Sequence, residues 1–274
     1  MDITQIGILT HHTRVERWQC DFNDHWNARF HGRAFQCAAE TAATLHGGEN
    51  PGAGVITARH IRYHRELRLG AAVEVRSAVI RDTAANGAVA HLLTSAGQLC
   101  AVAIDHSPHD TPGLPEIDGA ALERQMPRNL SSPKGVKADE AGTVFHCEVG
   151  PVRPAELDHV GGFVFEDIMA RGAVSVHTLL LGLGYTMEFT EQTGIGRMAI
   201  ELSLARHGEV TAGTVLIARA RLSAVNDKSF CVDHWLGTRA GRQVATIRQT
   251  LVAVDMRARR ITRVPDFILE QAPI

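Results

Sequence analysis

Seven consecutive residues, Asp21-Phe22-Asn23-Asp24-His25-Trp26-Asn27, bring two carboxylates, two amides and an imidazole into one short stretch. A carboxylate in such a cluster can attack an electrophilic carbonyl or take a proton from water. A helix predicted to start at Ala28 adds backbone N–H groups that lack intrahelical partners, together with the positive end of its dipole. Those donors suit a developing oxyanion. Capping explains the same residue types equally well, because Asp and Asn before a helix accept from its first N–H groups. On pattern alone the two readings stand side by side.

The elements around this stretch must hold it in place. Residues 13–20 read as a strand and 28–46 as a helix, with Phe30, Ala34, Ala38, Ala42 and Leu45 on one stripe and Gly47-Gly48 as its stop. Strands are predicted at 55–69, 72–81, 88–94 and 98–106, with a turn at Asn86-Gly87. The order then repeats: a strand at 143–152, a turn at 153–161, a helix at 162–183, and strands at 195–205, 214–224, 229–236 and 243–255. Between the copies, Pro108, Pro112, Pro115, Pro127 and Pro133 mark residues 107–142 as a connector. The predicted organisation is a first repeat at 1–106, a linker at 107–142 and a second repeat at 143–274. The class is α+β, two β-α-β-β-β-β repeats, each an antiparallel sheet against one long helix.

Aligning Asp24-His25 with Asp158-His159, an offset of 134, places Ala155 at the position of Asp21 and Gly161 at that of Asn27. The second copy then reads as a degenerate site, with Glu156 and Asp158 as its remaining carboxylates.

Composition excludes several classes. Of 274 residues 45% are hydrophobic and 21% charged, and the net charge of −2 gives no basic face for nucleic acid. No apolar run approaches a membrane span, and residues 1–10 carry no leader pattern, so no membrane association and a cytoplasmic location are expected. Five scattered cysteines lack a C-x-x-C pair, and fifteen histidines lack H-E-x-x-H spacing, so neither a disulfide framework nor a metal site is expected. Gly182-Leu183-Gly184 lies in no phosphate-binding pattern, and no cofactor is expected.

Asp21-x-Asn23-x-His25-x-Asn27, running into Ala28-Arg29-Phe30, resembles the signature of hotdog-fold acyl-CoA thioesterases, whose D-x-x-G-H-x-N loop leads into a long central helix. It is most similar to the D-Y-N-G-H-M-N branch associated with carnitine and betaine metabolism. The run Arg59 to Gly70 is similar to that family's second strand and turn. The likeness spans residues 13–106, with a weaker echo over 143–255. It implies a double hotdog and a thioester hydrolase acting on acyl-CoA, with room for homo-oligomers. It also implies that Asp21 is the catalytic carboxylate, as nucleophile or general base, with Asn23, His25 and Asn27 as its polar loop partners. Asp24 replaces the family's usual glycine.

Other residues carry both a functional and a structural reading. Trp26, Arg62, Arg65 and Glu166 are candidates for substrate binding: an indole beside the loop, two cations for coenzyme A phosphates, and a carboxylate on the second helix. Core packing, a solvated strand face and dipole complementarity explain the same residues. Glu40 reads as an exposed helical glutamate. Three alternatives remain on the same fold: an acyl-ACP thioesterase, a 3-hydroxyacyl thioester dehydratase and a non-catalytic acyl-thioester-binding protein.

Overall fold

The computed structural model describes residues 2–21, 23–46, 55–107, 111, 113–136 and 144–271. The stop at Gly47-Gly48, together with Pro108 and Pro112, lies outside them. The chain forms two compact units, Met1–Ser131 with Leu157–Met169, and Ser132–Glu156 with Ala170–Ile274.

In the first unit, strands β1 (Ile8–Arg14), β2 (Ala58–Tyr63), β3 (Ala72–Arg81), β4 (Val89–Ser95) and β5 (Gln98–His106) form an antiparallel sheet in the order β1-β3-β4-β5-β2. Helix α1 (Ala28–His46) packs on it through Ala34, Ala38 and Ala42 of the predicted stripe, all buried, whereas Leu45 in its last turn is exposed. Small side chains let the helix approach closely. The first strand lies upstream of its predicted position. After Arg14 the chain turns into a 3-10 turn at Arg17–Gln19, because Gln19 returns its side-chain oxygen to the Glu16 N–H at 3.1 Å.

Alternation along β3, β4 and β5 divides the sheet into two faces. One face carries Ala78, Ile80, Ala90, Leu92, Val102 and Ile104, covered by Ile117, Leu122 and Met126. These covering residues come from the segment after β5, which contributes β6 (Glu116–Asp118), paired parallel with β3. The other face is unusually polar for a core. Thr10 Oγ1 lies 2.6 Å from Ser77 Oγ, Ser77 Oγ lies 2.7 Å from His91 Nδ1, and His91 Nε2 lies 3.1 Å from Asp105 Oδ2. Arg59, with no exposure, donates Nε and Nη2 to the two Asp105 oxygens at 2.7 and 2.6 Å. Burial pushes the Asp105 carboxyl up, but the Arg59 charge, its paired hydrogen bonds and His91 outweigh that and hold it well below the usual carboxylate range.

The second unit repeats the plan. Strands β7 (Phe145–Pro151), β8 (Ile195–Arg206), β9 (Val215–Val225), β10 (Ser229–Thr238) and β11 (Gln243–Asp255) run in the order β8-β11-β10-β9-β7, with β12 (Arg260–Ile261) on β11. Helix α2 (Phe165–Gly182) packs Val176, Leu179 and Leu180 against Leu222, Phe230, Val232 and Leu251. Helices α3 (Met187–Thr193) and α4 (Asp266–Leu269) extend the predicted plan, and Tyr185, Phe189 and Phe267 meet edge to face there. Among the described residues no single helix is long and apolar enough to cross a membrane.

Candidate active site

The loop at 21–27 closes on itself. Asp21 Oδ1 accepts the N–H groups of Asn23 and His25 at 2.8 and 3.1 Å, and the Asp21 N–H donates to the His25 carbonyl at 2.8 Å. The turn requires a left-handed residue, and Asp24 fills that position at φ 58°. This explains why the resembling pattern has glycine there. Asp21 is half-buried, and among the described residues its second oxygen accepts from no protein donor. Capping falls to Asn27 instead: its side chain accepts the Arg29 N–H at 2.9 Å, and its carbonyl accepts that of Phe30 at 2.9 Å. The first N–H of α1, that of Ala28, donates to no acceptor among the described residues. The loop therefore offers one unengaged carboxylate oxygen and one unengaged helix-start donor.

The segment after β2 supports the loop. The Trp26 N–H donates to the Leu67 carbonyl at 2.7 Å, and His25 bridges to Arg68. The His25 ring places its Nε2 3.1 Å from Glu66 Oε2. Glu66 was not legible as a partner, because only the fold brings 25 and 66 together. Trp26 is buried: its Nε1 donates to Gln19 Oε1 at 2.9 Å, and its ring packs on His31 at 4.4 Å. Burial pushes the His31 imidazole down to about 4, with the Asn27 carbonyl opposing, so the ring is neutral beneath the loop.

The remaining candidates lie in different surroundings. Arg62 donates to the carbonyls of Arg124 and Met126 at 3.0 Å each, whereas Arg65 is exposed. Glu166, in the first turn of α2, is 7% exposed and takes Arg29 Nε at 3.0 Å and Arg33 Nη2 and Nε at 2.7 and 2.9 Å. Asp167 takes Arg29 Nη2 at 3.1 Å. Both helices come close here, because a Cβ on Gly32 would lie 2.5 Å from Met169 Sδ. Glu40 is half-buried rather than exposed and accepts from Gln36 at 2.8 Å. Among the described residues no three His, Cys, Asp or Glu side chains converge as metal ligands.

The second loop corrects the repeat register. α1 begins at Ala28 and α2 at Phe165, an offset of 137 rather than 134. Asp158 Oδ1 accepts the N–H groups of Val160 and Gly162 at 3.0 and 2.6 Å, and Gly161 takes the left-handed position at φ 79°. Asp158, not Ala155, therefore stands where Asp21 does, and Asp24, not Asn27, corresponds to Gly161. Matching Asp-His pairs misled the alignment, because His159 falls one residue after the carboxylate and not four. Glu156 is engaged by Arg171 Nη2 at 2.8 Å.

The sequence profile of the Thioesterase-like superfamily matches residues 15–107 and 152–272. The chain belongs to this superfamily. No curated relative matches the sequence. Among solved structures, it is similar to a protein of Lactobacillus plantarum provisionally described as an oleoyl thioesterase, at 14% identity and a TM-score of 0.61, over 91% of this chain and 98% of that one. It is similar to the 12:0-ACP thioesterase of Umbellularia californica at 14% identity and 0.60, over 92% and 95%. An acyl-ACP thioesterase of Bacteroides thetaiotaomicron follows at 13% and 0.56, over 88% and 96%. At such identities the likeness establishes the fold, a double hotdog of the superfamily.

Proposed function

We propose that the chain hydrolyses an acyl-coenzyme A thioester at loop 21–27, in the cytoplasm and without a cofactor. One observation carries the reading: Asp21 is held by two backbone N–H groups with its second oxygen unengaged, in the same short loop that ends at the unengaged Ala28 N–H. A thioester carbonyl placed there has weak resonance stabilisation, so one carboxylate and an oxyanion donor suffice. In one route, water adds to the carbonyl carbon as Asp21 takes its proton; the C–S bond breaks and the thiolate is protonated. In the other, Asp21 attacks the carbonyl carbon, the C–S bond breaks and the thiolate leaves to be protonated from solvent, and water then hydrolyses the resulting anhydride, returning the Asp21 carboxylate and the free acid. His25, fixed by Glu66, and Asn23 orient the loop and the thioester, and Asn27 seats the helix start.

The first loop carries the one productive site per chain, and Glu166 closes it by fixing Arg29 and Arg33. Trp26 and Arg62 act by holding the loop and the strand end, and Arg65 remains available to a phosphate. In this reading the loop is of the D-Y-N-G-H-M-N type. A second reading takes acyl carrier protein as the thiol carrier, supported by the structural likeness to two acyl-ACP thioesterases. Free-thiol release from a panel of acyl-CoAs and acyl carrier proteins tests both readings. Hydrolysis of acyl-CoAs supports the first, turnover of the carrier protein alone supports the second, and binding without turnover contradicts both.

A further inference from the structure

Beneath the candidate loop, two buried polar atoms stand without partners. His31, 4% exposed, lies in the first turn of α1, and its Nε2 has no hydrogen-bond partner among the described residues. Tyr63, the last residue of β2, buries a hydroxyl that likewise has none. The two rings meet edge to face, with 5.3 Å between centroids and 89° between planes. Buried polar atoms are costly unless paired. Packing alone does not call for an imidazole here. At the offset of 137 between the two helix starts, Ile168 of α2 stands where His31 stands in α1, and it is fully buried.

The other ring nitrogen sets the tautomer. His31 Nδ1 lies 3.5 Å from the Asn27 carbonyl oxygen, which can only accept, so Nδ1 carries the proton of the neutral ring. Nε2 is then an acceptor without a donor. Burial pushes the Tyr63 phenol up, so it keeps its proton and is a donor without an acceptor. The Asn27 carbonyl belongs to the same peptide group as the Ala28 N–H, the unengaged donor at the helix start. That oxygen also accepts the Phe30 N–H at 2.9 Å. A second donor there polarises the peptide and strengthens its N–H, because hydrogen bonds in a chain reinforce one another. In the second repeat the Val164 carbonyl accepts the Asp167 and Ile168 N–H groups at 3.1 and 3.2 Å, and Ile168 has no side-chain donor to add.

We infer that His31 and Tyr63 are positioning residues for thioester cleavage. The Tyr63 hydroxyl donates to His31 Nε2, directly or through one bridging water, and His31 Nδ1 donates to the Asn27 carbonyl. This chain orients and strengthens the Ala28 N–H as oxyanion donor. The inference rests on the proposed activity.

The test has two arms. Nitrogen-15 NMR of the histidine-labelled chain reads the His31 tautomer in the parent and in Tyr63→Phe, with the signals assigned by their loss in His31→Asn. Kinetics on an acyl-CoA, beside thermal melts, compare Tyr63→Phe, His31→Phe and His31→Asn, whose amide N–H replaces that of Nδ1. The expected tautomer is Nδ1–H, with the Nε2 signal displaced in Tyr63→Phe. His31→Phe should lower kcat about tenfold with KM little changed, and Tyr63→Phe about threefold; His31→Asn should stay within about threefold of the parent. An Nε2–H tautomer, or an Nε2 signal indifferent to Tyr63→Phe, overturns the inference. Full kcat in folded His31→Phe, or equal losses in His31→Asn and His31→Phe, assigns the ring to packing and also overturns it. If the His31 variants fail to fold, Tyr63→Phe decides, and unchanged kcat there overturns it. If the parent chain hydrolyses no thioester the proposed activity fails, while the NMR arm still decides whether the Tyr63–His31–Asn27 chain exists.

Discussion

In loop 21–27 the carboxylate that gathers the turn's N–H groups is followed by Asn23, His25 and Asn27; in loop 158–164 the corresponding positions hold Val160, Gly162 and Val164. Both turns close by the same pair of hydrogen bonds. The polar side chains of the first loop are therefore not required to fold it. They are surplus to the architecture, and the His25–Glu66 contact and the Asn27 cap show two of them engaged in fixing the loop's neighbours. The first loop also has Asp24 in a left-handed position that Gly161 occupies in the second.

A second difference runs through the sheets. Ser77 pairs with His91 across the first sheet and Ala220 pairs with His234 across the second; Arg59 pairs with Asp105, but Leu202 with Gln249. The Arg59–Asp105 pair thus has no counterpart at the matching positions of the second sheet, where the buried Asp233 is instead held by the half-buried Arg248 at 2.7 and 2.8 Å. His234 finds Ser175 of α2 instead, at 3.0 Å. Keeping a matched charge pair in a core is costly relative to an apolar pair, and breaking it is costlier still.

The largest effect is expected from erasing the loop difference. Giving the first loop the second loop's side chains, Asn23→Val with His25→Gly and Asn27→Val, should cut thiol release by about three orders of magnitude. The fold should survive with a loss of about 1 kcal/mol from the missing cap. Thiol-release kinetics beside thermal melts would separate the two.

Next in size is Asp105→Asn, which leaves the Arg59 charge buried without its counter-ion. A loss of about 3 kcal/mol or more is expected in denaturant titration. Because the folded carboxyl is depressed, its stabilisation is present above the unfolded value near 4 and lost as pH falls below it. The substitution should remove that acid-labile component.

Histidines set a separate window. Burial pushes His31, His60 and His234 down to about 4, with smaller opposing effects from the Asn27 carbonyl and the nearby aspartates. The unfolded chain takes up protons from about 6.5 downward. Stability from these neutral rings is therefore complete above about pH 6.5 and lost progressively towards pH 4. Melting temperature measured from pH 8 to 4 should fall across that interval, and a flat profile would contradict the burial of all three.

The smallest change is Asp24→Gly, which gives the first loop the backbone freedom of the second. Relief of the left-handed strain, partly offset by chain entropy, should stabilise by about 0.5 kcal/mol. Gly161→Asp should show the opposite sign in the same melts.

Much of this was legible in the residues. Alanines at helical spacing place α1 at its observed bounds, and alternation places β3, because both are local patterns with a single buried face. Asn27 was legible as a cap and accepts the Arg29 N–H, whereas Asp21, legible as cap or as loop chemistry, instead gathers the N–H groups of Asn23 and His25. The partners were not legible. Glu66 reaches His25, Arg29 and Arg33 reach Glu166, and Asp105 reaches Arg59 only through long-range strand and helix pairing, which leaves no spacing to read. The repeat register was misread for a related reason: hydrogen bonds to backbone N–H groups define the turn, and backbone groups leave no letter in the sequence.

The most direct test sets Asp21→Asn against Asp158→Asn in single-turnover thiol release from an acyl-CoA, with folding checked for each. Both substitutions are nearly isosteric and keep an acceptor for the turn. The account predicts a loss of about a hundredfold or more for Asp21→Asn and less than about threefold for Asp158→Asn. Equal losses, or full activity in Asp21→Asn, would contradict it.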